Sequence, residues 1–234
     1  MKVQSHNKYK LWAMTLVELL LVIFVIAVLA ALLLPVNPHD GRGSNRIRAR
    51  VEMAGLATAV EDYEADYNRL PLGDYVTNKS ITCGISSAEI QGFRKIDGTE
   101  LVATNSNLIL ILMDIDSGIN AGHKFNPKHI KYLNAKLSGD TNSSGVGVDY
   151  QYRDPWGNPF IISLAADQSS FVRDAFYACP DLFVSHTPTP LINTDGIFEW
   201  HGKVMVWSRG LDGKTSMTAP ANSGVNKDNV VSWE

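Results

Sequence analysis

The sequence predicts an α+β protein: a long N-terminal helix in two halves, followed by a domain that supplies a sheet. Three observations carry this. Met14 to Leu34 is apolar apart from Thr15 and Glu18. Ile47, Val51, Ala54, Leu56, Ala57, Val60 and Tyr63 recur at helical spacing, with Arg46, Arg50, Glu52, Glu61, Asp62 and Glu64 between them. Beyond Pro71 come roughly 160 residues of short apolar runs and turn residues, enough for one compact domain.

Residues 1–13 form a short basic leader with Lys2, Lys8 and Lys10. The run 14–34 follows, and a helix of about 21 residues reaches roughly 30 Å, the thickness of a bilayer's hydrocarbon core. The expectation is a transmembrane helix. A cleaved signal peptide fits poorly, because its apolar region is shorter and Pro35, Val36, Asn37 and Pro38 are a poor small-x-small exit. A plain signal anchor explains the length, yet leaves Glu18 as a cost of a few kcal/mol unless paired. The leader lysines favour a cytoplasmic N-terminus, although Arg42, Arg46, Arg48 and Arg50 follow the run.

Residues 35–70 are read as an amphipathic continuation of the same helix, loosened at Pro35 to Ser44 and ending near Leu70, before Pro71 and Gly73. Arg48 and Glu52 are spaced to pair along it. In 71–234, residues 75–105 read as an insertion of loops and a short helix. Asn107 to Met113 reads as a buried helical segment, Ser138 to Gly147 as a loop, and Ser185 to Pro190 as part of a second insertion. Asp154-Pro155-Trp156-Gly157-Asn158-Pro159 reads as tight turns ahead of a strand Phe160 to Leu164. Lys203 to Ser208 is a strand by composition, and Arg209 to Lys214 a turn.

Ala13, Met14, Thr15, Leu16, Val17, Glu18, Leu19 and Leu20 resemble the cleavage and methylation segment of type IV pilins and of type II secretion pseudopilins. Where that family usually has Gly before the cut, this chain has Ala13. The Asp154 to Pro159 turn closely resembles that of the major pseudopilin. So do Ser208-Arg209-Gly210-Leu211-Asp212-Gly213 and the tail Asn226 to Trp233.

The resemblance implies a type IV pilin-like fold, with the long helix packed on a small antiparallel sheet that carries insertions. It implies a cut between Ala13 and Met14 by a prepilin peptidase and N-methylation of Met14. Assembly would proceed through Met14 and Glu18, the carboxylate pairing with the Met14 amine of a neighbouring subunit. The implied product is a single-pass bacterial inner-membrane protein, N-terminus cytoplasmic and domain periplasmic, that joins a pseudopilus for type II protein secretion. Its partners would be copies of itself, minor pilins, the peptidase and an inner-membrane assembly platform. Alternatives are a type IV pilus component for adhesion or DNA uptake, and a membrane-anchored envelope binding module that never polymerises.

The resemblance also implies a calcium ion between two loops. Asp212, Asp228 and Asn229 would give side-chain oxygens, and Leu211 and Val225 carbonyls, with Lys227 standing where another acid would help. The alternative is that Asp212 is a turn residue and Trp233 pins the tail by packing. Cys83 and Cys179, the only cysteines, are either a disulfide or two free thiols. His6, His39, His123, His129, His186 and His201 show no paired metal spacing, and His123 and His129, flanking Pro127, read as surface groups. No nucleophile elbow, Walker loop or dinucleotide fingerprint is present, so no enzyme is expected. A net charge of −3 leaves no nucleic-acid footprint.

Overall fold

The computed structural model describes residues 15–33, 41–75, 79–165, 170–182, 191–192 and 197–233. The chain divides into two compact units, Met1–Gly41 and Arg42–Glu234.

The first unit holds helix α1, Leu16–Leu33. Thr15 and Glu18 start it with a reciprocal cap. The Glu18 carboxylate accepts from the Thr15 backbone N–H and hydroxyl, both at 3.0 Å, and the Glu18 N–H donates to Thr15 Oγ1 at 3.3 Å. Thr-x-x-Glu is the capping-box pattern, with Glu at the third helical position. Residues 15–30 are all exposed, and the helix is apolar around its whole circumference.

This unit corrects the sequence reading. The helix is 18 residues long over its described part, about 27 Å at 1.5 Å per residue. Among the described residues no helix is long and apolar enough to cross a membrane. The expected transmembrane helix is therefore overturned, and with it the single-pass inner-membrane placement with a periplasmic domain.

Helix α2 covers Gly41–Tyr67, all but its first residue in the second unit. Asn68, at φ 51°, stops it in the left-handed conformation that Asn tolerates at helix ends. Its buried face is Ala49, Met53, Leu56, Ala59, Val60 and Tyr63, spaced by three and four. The expected stripe was partly misplaced. Leu56, Val60 and Tyr63 belong to it, whereas Ile47 and Val51 point to solvent, 67% and 66% exposed. The Arg48–Glu52 pair is formed at 2.8 Å.

The strands are β1 (Ser80–Cys83), β2 (Ile90–Gln91), β3 (Thr99–Val102), β4 (Gly145–Val146), β5 (Tyr152–Arg153), β6 (Ile161–Ala165), β7 (Phe171–Val172), β8 (Leu191–Ile192), β9 (Phe198–His201), β10 (Val204–Ser208), β11 (Thr215–Ser216) and β12 (Val230–Val231). Helix α3, Ser106–Leu112, follows β3. The main sheet runs β12-β10-β6-β1-β3, antiparallel throughout except that β1 and β3 are parallel. Small ladders join β11 to β2, β4 to β5, and β7 and β8 to β9.

The expected pilin-like fold, one long helix on a small antiparallel sheet, is thus contradicted. The sheet is mixed and five-stranded, and α1 and α2 are separate elements. The parallel edge comes from 75–105, expected as loops and a short helix; the segment does hold a short 3₁₀ helix, Ser87–Glu89, but also the strands β1, β2 and β3. Ile81 and Thr82 are β-branched and buried on a four-residue strand too short to show periodicity.

Both faces of the sheet are covered. Because side chains alternate along a strand, Ile162, Leu164 and Val206 pack with Met53, Leu56, Val60 and Tyr63 of α2 and with Leu108 and Leu112 of α3. Ile161, Met205, Trp207 and Val231 pack on the other side with Ile85, Phe176 and Tyr177. Trp207 is stacked on Phe176 at 5.2 Å and donates Nε1–H to Asp174, whose carboxylate also accepts from Ser163 Oγ and the amides of Phe176 and Tyr177. All those bonds serve a carboxylate with no exposed surface.

Candidate functional site

Three segments meet at one end of strand β10: the turn 154–159, the turn 209–214 and the tail 226–233. Asp154 organises the first. It is fully buried, its Oδ1 accepts from the amides of Trp156 and Asn158 at 2.9 Å, and its Oδ2 accepts from Ser208 Oγ. Burial pushes its carboxyl above the ordinary range, against the pull of those bonds. Gly157 sits at φ 92°, where a Cβ would come within 2.1 Å of the Asn142 carbonyl oxygen, so only glycine fits.

The turn 154–159 is tied to the next turn by Asn158, whose Nδ2 donates to the Gly210 carbonyl at 2.8 Å. Gly210, at φ 64°, would place a Cβ 2.1 Å from the Asp228 carbonyl. The tail is therefore in close backbone approach to the second turn. Asp228 Oδ2 accepts from the Asp212 N–H at 2.9 Å, and Asp212 Oδ1 accepts from the Lys214 N–H at 2.9 Å. Asn226 locks the tail: its amide donates to the carbonyls of Ser216 and Ala219, and its oxygen accepts from the Ser216 N–H. Trp233 packs edge-on against Tyr177 at 5.1 Å.

Of the residues expected to hold calcium, Asp212, Asp228 and Asn229 lie on these two apposed loops. Asp228 Oδ1 and Asn229 Oδ1 are buried with no hydrogen-bond partner among the described residues. Buried acceptors normally find a donor, and oxygen is the atom that a hard cation such as calcium takes. Leu211 is 51% exposed and Val225 partly buried. On the far side of the tail, Arg46 Nη2 donates to the carbonyls of Lys227 and Asn229 at 3.4 and 3.3 Å.

The processing pair Ala13 and Met14 lies outside the described residues. Glu18 is exposed and engaged by Thr15. Sequence reasoning gave Glu18 only an intermolecular partner and missed the capping box, although Thr15-x-x-Glu18 spells it out. Cys83 and Cys179 are buried free thiols, so the disulfide alternative is not realised. Burial pushes the Cys83 thiol up to about 12.

Comparison with protein-family models, with curated proteins and with solved structures finds no match in any of the three. They return neither a pseudopilin nor a secretion protein, and the assignment to type II secretion is withdrawn together with the membrane span.

Proposed function

We propose that the chain is a structural subunit that is processed between Ala13 and Met14 by a prepilin peptidase and polymerises through α1 into a homo-oligomeric filament. The observation that carries this reading is α1 itself. It is apolar on all sides and exposed over residues 15–30. A helix apolar all round is stable only when surrounded, and further copies of the same helix supply that surrounding. Ile47 and Val51, one turn apart on α2 and both exposed, add a second apolar strip for subunit packing. The motif at Ala13 to Leu20 supplies the processing step.

The capping box gives Glu18 two tasks in this reading: it satisfies the first turn of its own helix, and it offers a charge to the Met14 amine of the next subunit. Calcium between the turn 209–214 and the tail braces the domain 42–234. Asp228 and Asn229 would hold the ion by their bare oxygens, with Asp212 and the carbonyls of Leu211 and Val225 completing the set.

Processing is tested by the intact mass of the chain after co-expression with a prepilin peptidase. The expected product lacks residues 1–13 and carries one methyl group on Met14, while an intact leader would refute the reading. For the ion, calcium should raise the thermal midpoint of the wild-type chain and a chelator should reverse it. Asp228→Asn should remove the response, and a wild-type chain indifferent to both additions would remove calcium from the account.

A further inference from the structure

The segment that follows α3 gathers Asp114, His123 and His129 into one cluster. One ligand atom from each residue lies within 4.8 Å of the others. His123 Nδ1 is 2.6 Å from Asp114 Oδ1 and His129 Nδ1 is 3.6 Å from Asp114 Oδ2. The two imidazole rings sit 4.0 Å apart. All three residues have positive φ, at 54°, 55° and 54°, a region that His and Asp enter more readily than most residues but still at a cost. Asp114 has a local reason for it at the end of α3. His123 ends the short 3₁₀ segment Gly118–His123, and His129 closes a turn with its N–H on the Asn126 carbonyl.

The segment is held from below. Asn120 and Asn126 have no exposed surface. Asn120 donates to the carbonyls of Leu110 and Ile115 and accepts from the Phe125 N–H. Asn126 donates to the carbonyls of Ile111 and Ile130 and accepts from the Ile130 N–H. The cations beside the histidines are engaged elsewhere, Lys124 with Asp74 at 2.9 Å and Lys128 with Asp66 at 3.0 Å. What remains at the cluster is a set of electron-pair donors on a braced loop.

We propose that Asp114, His123 and His129 bind a divalent transition-metal ion of the zinc class. Two imidazole nitrogens and one carboxylate suit Zn²⁺ or Co²⁺ and not the oxygen-seeking Ca²⁺. Tetrahedral zinc with bonds of 2.0–2.1 Å holds its ligands about 3.3 Å apart. The Asp114–His129 separation is near that, and the closer Asp114–His123 contact opens as the ion takes the place of the bridging proton. Ligation through His123 Nδ1 leaves its proton on Nε2, and the Asp116 carboxylate stands 3.9 Å from that nitrogen, beyond hydrogen-bond distance but close enough to favour the charge at the site. Three protein ligands leave one position for water, and His129, with its side chain 60% exposed, opens the site to solvent.

The test titrates the metal-free, untagged full-length chain with Co²⁺ alone, read by visible absorption, and with Zn²⁺ alone, read by calorimetry. One equivalent of each should bind, with a tetrahedral cobalt spectrum. His129→Ala removes an exposed side chain, leaves the fold unchanged by circular dichroism, and should weaken Zn²⁺ binding by about 100-fold or more, since even outer-shell losses cost 10–100-fold. His123→Gln should do the same, and His201→Ala should change nothing. A wild-type chain with no saturable cobalt spectrum, or a His129→Ala variant that binds like wild type, would overturn the proposal.

Discussion

Replacing Asp154 by alanine tests how the three loops at the end of β10 are held. The carboxylate accepts three hydrogen bonds, from the amides of Trp156 and Asn158 and from the Ser208 hydroxyl. Alanine leaves three donors without that acceptor. A buried donor left unpaired costs about 1–3 kcal/mol. Trp156 and Asn158 are only partly buried, so water recovers part of the loss, and removing a buried carboxylate refunds some desolvation. Taking the low end for each donor gives a net loss of about 3 kcal/mol. For a chain of this size that lowers Tm by about 6–12 °C, at roughly 2–4 °C per kcal/mol. Asp154→Asn is the matched comparison. Its Oδ1 still accepts both amides, and only the Ser208 hydroxyl, whose oxygen already accepts from the Gly210 N–H, loses its acceptor, so its loss should be about 1 kcal/mol. Urea unfolding and thermal melts of both full-length variants measure the difference. An alanine variant as stable as the asparagine variant would refute the view that this carboxylate anchors the loops.

Asn105 is fully buried and bridges β5 to the start of β6, donating to the Tyr152 and Phe160 carbonyls and accepting from the Tyr152 N–H. Asn105→Ala should therefore cost about 2–3 kcal/mol in urea unfolding. Asp149 is paired bidentately with the buried Arg153, which holds its carboxyl well below the ordinary range. A lowered folded value contributes stability that is complete above the unfolded value and is lost as pH falls through the folded one. The wild type should accordingly lose more stability than Asp149→Asn between about pH 5 and pH 2, and parallel pH profiles would contradict the pairing. Cys83 should stay unreactive toward a thiol reagent at pH 8 until the chain unfolds, because its thiol is buried and pushed up to about 12. Fast labelling at Cys83 in the native chain would contradict its place in β1.

Much of the second unit was legible where a local pattern meets one burial environment. Leu56, Val60 and Tyr63 on α2, the buried run Leu108 to Leu112 and the strands β6 and β10 could all be read from spacing or from β-branched composition. Pairing could not be. The mixed character of the sheet rests on β1 against β3, two four-residue strands whose parallel register pairs residues nineteen apart. The shifted stripe of α2 has the same origin: Ile47 and Val51 share a helical spacing with Leu56's neighbours, and only tertiary contact decides which stripe faces the sheet. Similarly, His123 and His129 have the five-residue separation of a zinc half-site, but Asp114 lies nine residues upstream, and left-handed turns at all three bring them together. The Thr15–Glu18 cap, by contrast, was fully encoded in four residues.

The central claim is that α1 is a polymerisation surface, and its most direct measurement is negative-stain electron microscopy of the processed chain beside Glu18→Gln. Glutamine keeps the capping box, since Gln serves at its third helical position as Glu does, and removes only the charge offered to a neighbouring amine. The account predicts filaments from the wild type and few or none from Glu18→Gln. A processed wild-type chain that stays monomeric, or a Glu18→Gln variant that forms filaments equally well, would contradict it.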